Sequence, residues 1–596
     1  MPRETMQEDS VVLHNAVTGE WLRFRSPEQI VTATRLDDIL PALRQIEAAV
    51  NARGWHAAGF LSYESAPAFD SALCTHPVSE FPLLWFGLYQ QPEVLQLPEP
   101  DFQACSLGEV ISSVSQSEYE RAILRIRQHI HSGNTYQVNY TLRLRCPFSG
   151  DAWHLFLAMV RAQPGGYSAW IDAGRWAICS ASPELFFRLE GDRLTCKPMK
   201  GTVQRGRTLE EDQALSEWLR HSEKNRAENL MIVDMIRNDL GRVAEVGSVH
   251  VPRLFEVERH PTLWQMTSTV TARCRQPLVD VLTALFPCAS ITGAPKIRTT
   301  RIIADVEPDP RHLYTGSIGY ISPGRAAQFS VAIRTAIVDR LEGCLEYGAG
   351  GGIVADSSSE EEYSEALLKA RILTERRPDF SLLETMLWTF QDGYFLLEYH
   401  LQRLRRSAVY FDYPLDLEDL RRRLAAQARA YGSARQRVRL LVDRGGGLEI
   451  DSAPLPETEA GAPPVRVRLA AEPVHSTDVF LYHKTTCRVV YEAARQLCPD
   501  CDDVLLWNER GELTESCVAN IVVEMEGARL TPPVDSGLLA GTFRAWLLEQ
   551  GAIREKVVKV EDLGKCTRLY LINSVRKWQE AELIEKPFRS ETLLSR

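Results

Sequence analysis

The sequence predicts a two-domain protein mixing helices and strands. Three observations lead there: its length, the interleaving of two periodicities, and a charged break well past its midpoint. At 596 residues the chain is too long for one hydrophobic core. Short apolar runs of strand character alternate with stretches whose apolar residues recur at helical spacing. Thr374 to Asp379 is polar and charged and carries Pro378, as a domain junction should. Domains are therefore expected over residues 1–375 and 380–596.

Element by element, Asp38–Asn51 reads as helix and Leu83–Phe86 as strand. Ser117–Gly133 reads as a helix that opens on a capping-box pattern, Ser117 to Glu120, and stops at Gly133-Asn134. Strand-like runs follow from Tyr136 to Lys200. One long helix is expected from Thr208 through Leu240, closing on Gly241. Asp280–Leu285 reads as helix, and Ile318–Ile321, Ala332–Ile337 and Cys344–Tyr347 as strands. Ser359–Ile372 reads as the last helix before the junction. In the second domain, Asp443–Pro464 is rich in Gly, Pro and Glu and reads as a loop joining two subdomains.

Composition narrows the class. Hydrophobic residues make up 44% and charged residues 25%, as in ordinary soluble proteins. A net charge of -11 argues against nucleic acid or an anionic membrane as partner. Thirteen scattered cysteines suggest reduced thiols in a cytosolic enzyme. Cys498 and Cys501 form a lone C-x-x-C with no second pair to complete a zinc site. The first ten residues are charged where a secretory segment would be apolar, and no window offers the roughly 20 apolar residues of a membrane span. The cytoplasm is the expected location.

Two clusters carry chemistry. Glu362 and Glu365 lie three residues apart in the expected last helix, so they share a face, and Lys369 follows four residues after Glu365. Glu228 lies in the long helix. Carboxylates from two helices suit Mg2+, although a Glu/Lys face is commonly just solvated. Gly348-Ala-Gly-Gly-Gly352 lets backbone approach an anion closely, or is simply a glycine turn.

Five separated segments then give context: Ser180-Ala-Ser-Pro-Glu184, Lys197-Pro-Met-Lys-Gly-Thr202, Ala227 to Asp239, Phe286 to Lys296 with its Thr-Gly-Ala-Pro-Lys, and Gly350 to Ser357. In order and spacing they resemble the chorismate-utilising enzymes. The resemblance implies an α+β domain of antiparallel sheets inside flanking helices. It implies Glu228 and Glu365 as Mg2+ ligands, Glu362 assisting through water, and chorismate as substrate. Tyr314, Arg334, Lys369 and the N–H groups of Gly350, Gly351 and Gly352 would hold substrate carboxylates, with Thr292 and Lys296 lining the same cavity. Lys200 stands where anthranilate-forming relatives have Ala. That implies a lysine nucleophile attacking ring C2, with Glu184 as acid/base and Lys197 helping to keep the amine neutral.

Some positions depart from the pattern. Gln265 replaces a His of anthranilate-type members, and Asn225 replaces a common acid. Gln137 and Asn139 match a segment near an effector or structural pocket. No glutaminase segment is found, so ammonia is expected from a separate glutamine amidotransferase subunit.

The second half carries His400-Leu-Gln-Arg403, His483-Lys484-Thr-Thr486, Asn508 to Glu515, Thr531-Pro-Pro533, Gly537 to Arg544, and Asn573-Ser574. Together they resemble the fold-type IV pyridoxal-phosphate enzymes, which implies two α/β subdomains with the cofactor between them, and commonly a homodimer. By position Lys484 would bond to the cofactor aldehyde and act as acid/base, Glu515 would meet the pyridine nitrogen, and Arg403, Gly541, Thr542, Asn573 and Ser574 would hold the phosphate. Thr385 would relay protons. The two resemblances together imply synthesis of 4-aminobenzoate through 4-amino-4-deoxychorismate. An aminotransferase or an idle dimerisation module in the second half, and anthranilate chemistry in the first, stay open.

Overall fold

The computed structural model describes residues 9–163, 166–374, 378–456 and 463–584. Its contacts divide the chain into two compact α+β units. One comprises Met1–Gln204 with Ser216–Arg377, the other Arg205–Leu215 with Pro378–Arg596.

The first unit is built on two antiparallel sheets. One contains, side by side, Gln137–Gly150, Cys344–Ile353, Thr335–Asp339, Trp176–Ser180, Ala169–Ala173 and Val11–Asn15. The other runs from Met199–Gln204 through Leu263–Arg273, Arg193–Lys197, Leu185–Glu190, Ala326–Val331, Ser317–Ser322 and His56–Leu61 to Leu84–Tyr89 and Gln29–Ala33. Alternation along a strand splits its side chains between two cores. Ala58 and Phe60 pack with Ile171 and Ile178 between the sheets. Ala57 and Leu61 pack with Ile46 and Leu282 of the helices Leu36–Arg53 and Leu278–Leu285. Burial on both faces explains why Leu84–Tyr89 reads as an unbroken apolar run. On the other sheet's outer face lie the helices Gln116–His131, Ala152–Ala162, Lys296–Val306 and Ser359–Lys369.

Several expected elements differ. The capping box is Ser115 with Glu118, not Ser117 with Glu120: the Ser115 N–H donates to Glu118 Oε2 at 2.8 Å. The long helix is two, Leu209–His221 and Glu223–Gly241, because the Ser222 hydroxyl caps a new start at the Asn225 N–H. The strand expected from Ala332 begins at Thr335, since Arg334 has a left-handed φ of 51°. The glycine run is not a turn; it continues a strand paired along its length with Gln137–Gly150. The last helix ends at Lys369, and Ala370–Leu373 is a 3-10 turn.

In the second unit, a four-stranded sheet (Gly393–Tyr394, Leu382–Thr389, Gln436–Val442, Leu448–Pro454) packs under the helices Leu397–Phe411 and Leu417–Ala428. Leu448–Pro454 falls inside the stretch read as loop. It pairs residue for residue with Gln436–Val442; residues 457–462 lie outside the described ones. A second sheet holds eight strands, and the pairing of Glu515 with Asn520 closes six of them into a barrel. Val465–Leu469 pairs in parallel with Asp503–Trp507 and Lys577–Leu583 on its two sides, and Ala528–Thr531 with Arg554–Glu555.

Among the described residues no helix is long and apolar enough to cross a membrane. All 13 cysteines are free, and the Cys501 thiol points at the Cys498 carbonyl.

Candidate active sites

Lys200 sits on the strand Met199–Gln204, which pairs with Leu263–Arg273. The register slips between Met199 and Thr202, and Gly201 within that bulge has φ 91°. A bulge re-aims the side chain it carries. The Lys200 residue is only half-buried, but its amine end is enclosed. A Cβ added at Gly352 would lie 2.5 Å from Lys200 Nζ and 2.6 Å from Gln137 Nε2. The glycine strand is therefore a floor on which the amine rests, and a side chain at Gly352 would displace it. The same test at Gly351 meets Glu362 Oε2 at 2.9 Å. At Gly350 it meets the Tyr140 carbonyl, and at Gly348 the Tyr314 ring.

Burial pushes the Lys200 ammonium below its ordinary value, and the Lys369 cation adds to this. Glu228, Glu184 and Glu362 pull the other way. The cation facing Lys200 is thus Lys369 and not Lys197, whose ammonium is paired with Glu258 at 2.5 Å. Glu184 follows the strand Trp176–Ser180 and is almost wholly buried. Burial lifts its carboxyl to about 7, partly offset by the Ser290 hydroxyl, which donates to Oε1 at 2.6 Å, and by Lys200. A carboxyl poised there can give or take a proton near neutrality.

Glu362 accepts from the Ser357 hydroxyl at 2.8 Å, and burial raises it, with Glu365 adding repulsion. Lys369 spans Glu365 and the Gly350 carbonyl, each at 2.8 Å. Arg334, on its strained backbone, is lowered by burial and lies in the field of Tyr347 and Tyr314. Thr292 and Lys296 are turned elsewhere. The Thr292 hydroxyl bonds to the Cys288 and Ala289 carbonyls, and Lys296 Nζ to Asp239 at 2.9 Å and the Leu285 carbonyl at 3.1 Å. Gln265 and Asn225 shape the bulge: the Gln265 amide donates to the Gly201 carbonyl at 2.9 Å, and Asn225 packs on Gly201.

Two residues of this cluster are not found by sequence reasoning. Ser290 lies 106 positions from the carboxylate it holds. Gln137 matches a segment expected near an effector or structural pocket; its amide is fully buried beside Lys200, with neither polar atom bonded.

The carboxylates offer oxygen donors only, the kind Mg2+ takes. They do not form a finished cage, for among the described residues no three acidic or sulfur and imidazole groups are gathered as metal ligands.

In the second unit, the Lys484 carbonyl accepts from the Leu383 N–H at 2.9 Å. Its amine is brought to about 8 by burial, with Arg403 and Arg488 lowering it further and Glu384 and Glu515 opposing. Burial lifts Glu515 to about 7; it accepts from Tyr491 Oη at 2.8 Å, Asn520 Nδ2 at 3.1 Å and the Leu539 N–H at 3.2 Å. His400 and Arg403, on one helix face, both converge on Glu384. Arg403 Nε and Nη2 reach it at 2.9 and 2.7 Å, and His400 Nδ1 at 2.7 Å. Burial opposes ionisation of Glu384, yet Arg403 and His400 hold it down to about 2. Glu384 carries no sequence signal of its own. Arg403 is thus already paired, and its remaining Nη1 lies 3.3 Å from the Ala540 carbonyl.

Beside it, Gly541 caps the helix Thr542–Glu549, with Asn520 packed where a Cβ would stand. The Asn573 carboxamide accepts from the N–H groups of Val575 and Arg576, and the Ser574 hydroxyl faces the Thr385 carbonyl at 3.5 Å. A low-pKa amine, a buried acid, a cation and a helix N-terminus form a donor set that fits pyridoxal phosphate.

Known proteins resemble both parts of the chain. The family model for chorismate binding enzymes matches residues 8–375, and that for class IV amino-transferases matches residues 381–584. Aminodeoxychorismate synthase component 1 of Salmonella typhimurium is 44% identical over 265 residues, covering 44% of this chain and 58% of that protein. The Escherichia coli protein of that name is 42% identical over 281 residues, covering 47% and 61%. The chain thus spans somewhat over half the length of these two relatives. The structure of anthranilate synthase component I from Streptococcus pneumoniae aligns at TM-score 0.52 and 24% identity, over 63% of this chain and 94% of that one, a likeness of fold. The chain belongs to the family of chorismate binding enzymes and carries, after that domain, one of the amino-transferase class IV type.

Proposed function

We propose that the first unit converts chorismate and ammonia to 4-amino-4-deoxychorismate, and that the second eliminates pyruvate from that product to give 4-aminobenzoate. The observation that carries the first step is the enclosed Lys200 amine, gathered with Glu184, Glu228 and Glu362. Only the neutral amine can attack, and burial shifts the balance toward it. Lys200 Nζ attacks ring C2 as the C4 hydroxyl departs, taking a proton from Glu184. Ammonia then adds at C4 and expels Lys200 as the free amine, its surplus proton returning to Glu184, so the net change is loss of water. Glu228 and Glu365, with Glu362 through water, would hold Mg2+ against a substrate carboxylate. Arg334, Tyr314 and Lys369 would bind carboxylate oxygens. The relatives' designation as component 1 supports ammonia delivery by a separate glutamine amidotransferase.

In the second unit pyridoxal 5'-phosphate, when bound, supplies the electron sink for loss of a ring proton. Lys484 would take that proton, its value of about 8 leaving a useful neutral fraction. Thr385 would relay it. Glu515 would fix the pyridine nitrogen, and Arg403, Gly541, Thr542, Asn573 and Ser574 the phosphate. Dimerisation through this unit is part of the proposal.

Pure protein with chorismate, ammonia, Mg2+ and pyridoxal phosphate should release 4-aminobenzoate and pyruvate. The ortho isomer as product would overturn the first step, and a requirement for an added 2-oxoacid acceptor would overturn the second.

A further inference from the structure

The segment Arg205–Leu215 belongs to the second unit although its sequence neighbours on both sides belong to the first. It is closed on itself: Arg205 pairs with Asp212 at 2.6 Å, and the Gly206 N–H donates to the same carboxylate at 3.0 Å. Gly206 lies so near the Asp212 backbone that no side chain would fit. This strap grips the helix Leu397–Phe411 and the residues before Lys484. Arg205 Nη2 donates to the Tyr410 carbonyl at 2.9 Å and stacks on its ring at 4.4 Å. The Tyr410 hydroxyl answers by donating to the Gly206 carbonyl at 2.7 Å. Arg207 Nη1 donates to the Tyr482 hydroxyl at 3.0 Å.

The contact that matters is with His483, the neighbour of Lys484. Its Nε2 lies 3.1 Å from the Arg207 carbonyl, which can only accept, so the ring proton is on Nε2. Nδ1 is then the acceptor for the Ser407 hydroxyl at 2.9 Å. The ring is sandwiched by Tyr410 and Phe411, at centroid distances of 4.4 and 4.8 Å. Burial drives its value down to about 4, consistent with a neutral ring near pH 7.

We propose that the Arg205–Asp212 strap is a positioning element of the Lys484 site: it locks His483 in one tautomer and thereby fixes the chain that presents the Lys484 amine. The inference rests on Lys484 being the cofactor lysine. Loosening the strap lets water reach the amine, while Arg403, Arg488, Glu384 and Glu515, which face it from other elements, stay in place. The pH at which Lys484 becomes reactive should then rise.

The test uses the full chain freed of cofactor and treated with pyridoxal phosphate. Borohydride traps the adduct, and mass spectrometry counts labelled Lys484 against pH. His483→Phe should move the labelling midpoint up by about one pH unit, so that labelling below it is about tenfold slower. His483→Gln, whose amide can still donate to the Arg207 carbonyl, should restore most of the rate. Tyr410→Phe, which loses only the bond to Gly206, should shift the midpoint in the same direction and serves if the His483→Phe variant does not fold. Arg421→Ala, which breaks an exposed pair with Glu398, should change nothing. Unchanged midpoints in both the His483 and Tyr410 variants would overturn the strap's role while leaving the cofactor reading intact. No label on Lys484 in the unaltered protein would overturn the cofactor reading and the strap's role with it.

Discussion

The Ser290 hydroxyl donates to Glu184 Oε1 at 2.6 Å, and both side chains are almost completely buried. This bond favours the ionised carboxyl, so Ser290→Ala should raise Glu184 further above its value of about 7. The limb of the amination pH profile that reports this group should move to higher pH by up to about one unit. Glu184→Gln should cost about 10²–10⁴-fold in kcat of amination. Since the folded value exceeds the ordinary 4.5, the linked stability is fully present below 4.5 and is lost as pH rises through about 7. Thermal melts of the Glu184→Gln protein should lack that component.

A Cβ at Gly352 would collide with Lys200 Nζ and Gln137 Nε2. Gly352→Ala should therefore displace the Lys200 amine and suppress amination while pyruvate release from supplied 4-amino-4-deoxychorismate continues. Gly241→Ala, at a helical glycine with nothing within 4 Å, should leave both activities intact. Separate assays of the two half-reactions check this.

Chelation should divide the activities in the same way. EDTA should stop chorismate turnover and leave pyruvate release untouched, with Mg2+ restoring the former. Glu228→Gln or Glu365→Gln should raise the Mg2+ concentration needed for half-maximal amination.

Glu384 lies at about 2, below its ordinary 4.5, against the cost of burial and because Arg403 and His400 surround it. The linked stability is present above 4.5 and is lost as pH falls through about 2. Glu384→Gln should strand the Arg403 charge and destabilise the unit by about 3–5 kcal/mol. Acid unfolding followed by circular dichroism should show both the lower stability and a flatter pH dependence.

Much of the first site is legible because its residues sit in tight local motifs. Glu362, Glu365 and Lys369 share a helix face by spacing alone, and Lys200 stands in a short segment with little freedom. What escapes depends on distant chain. Ser290 reaches Glu184 across 106 positions, and Glu384 meets Arg403 only once strand and helix pack. The capping box is ambiguous because Ser115 and Ser117 each have a Glu three residues on, and only tertiary packing chooses between them. The glycine run cannot be told from a turn, since glycines carry no side-chain alternation to betray a strand. The helix expected from Thr208 breaks at Ser222 because a serine hydroxyl offers the backbone a local alternative.

The chain threads residues 205–215 through the second unit before returning to the first. Cutting the gene at the linker near Pro378 would therefore not free two whole modules. The downstream fragment would be missing a piece of its own fold, encoded far upstream, and the upstream fragment would carry that piece with nothing to hold. Separation by excision and separation by folding unit are different operations in this protein. A split that respects the interleaving must supply the short upstream peptide back in trans.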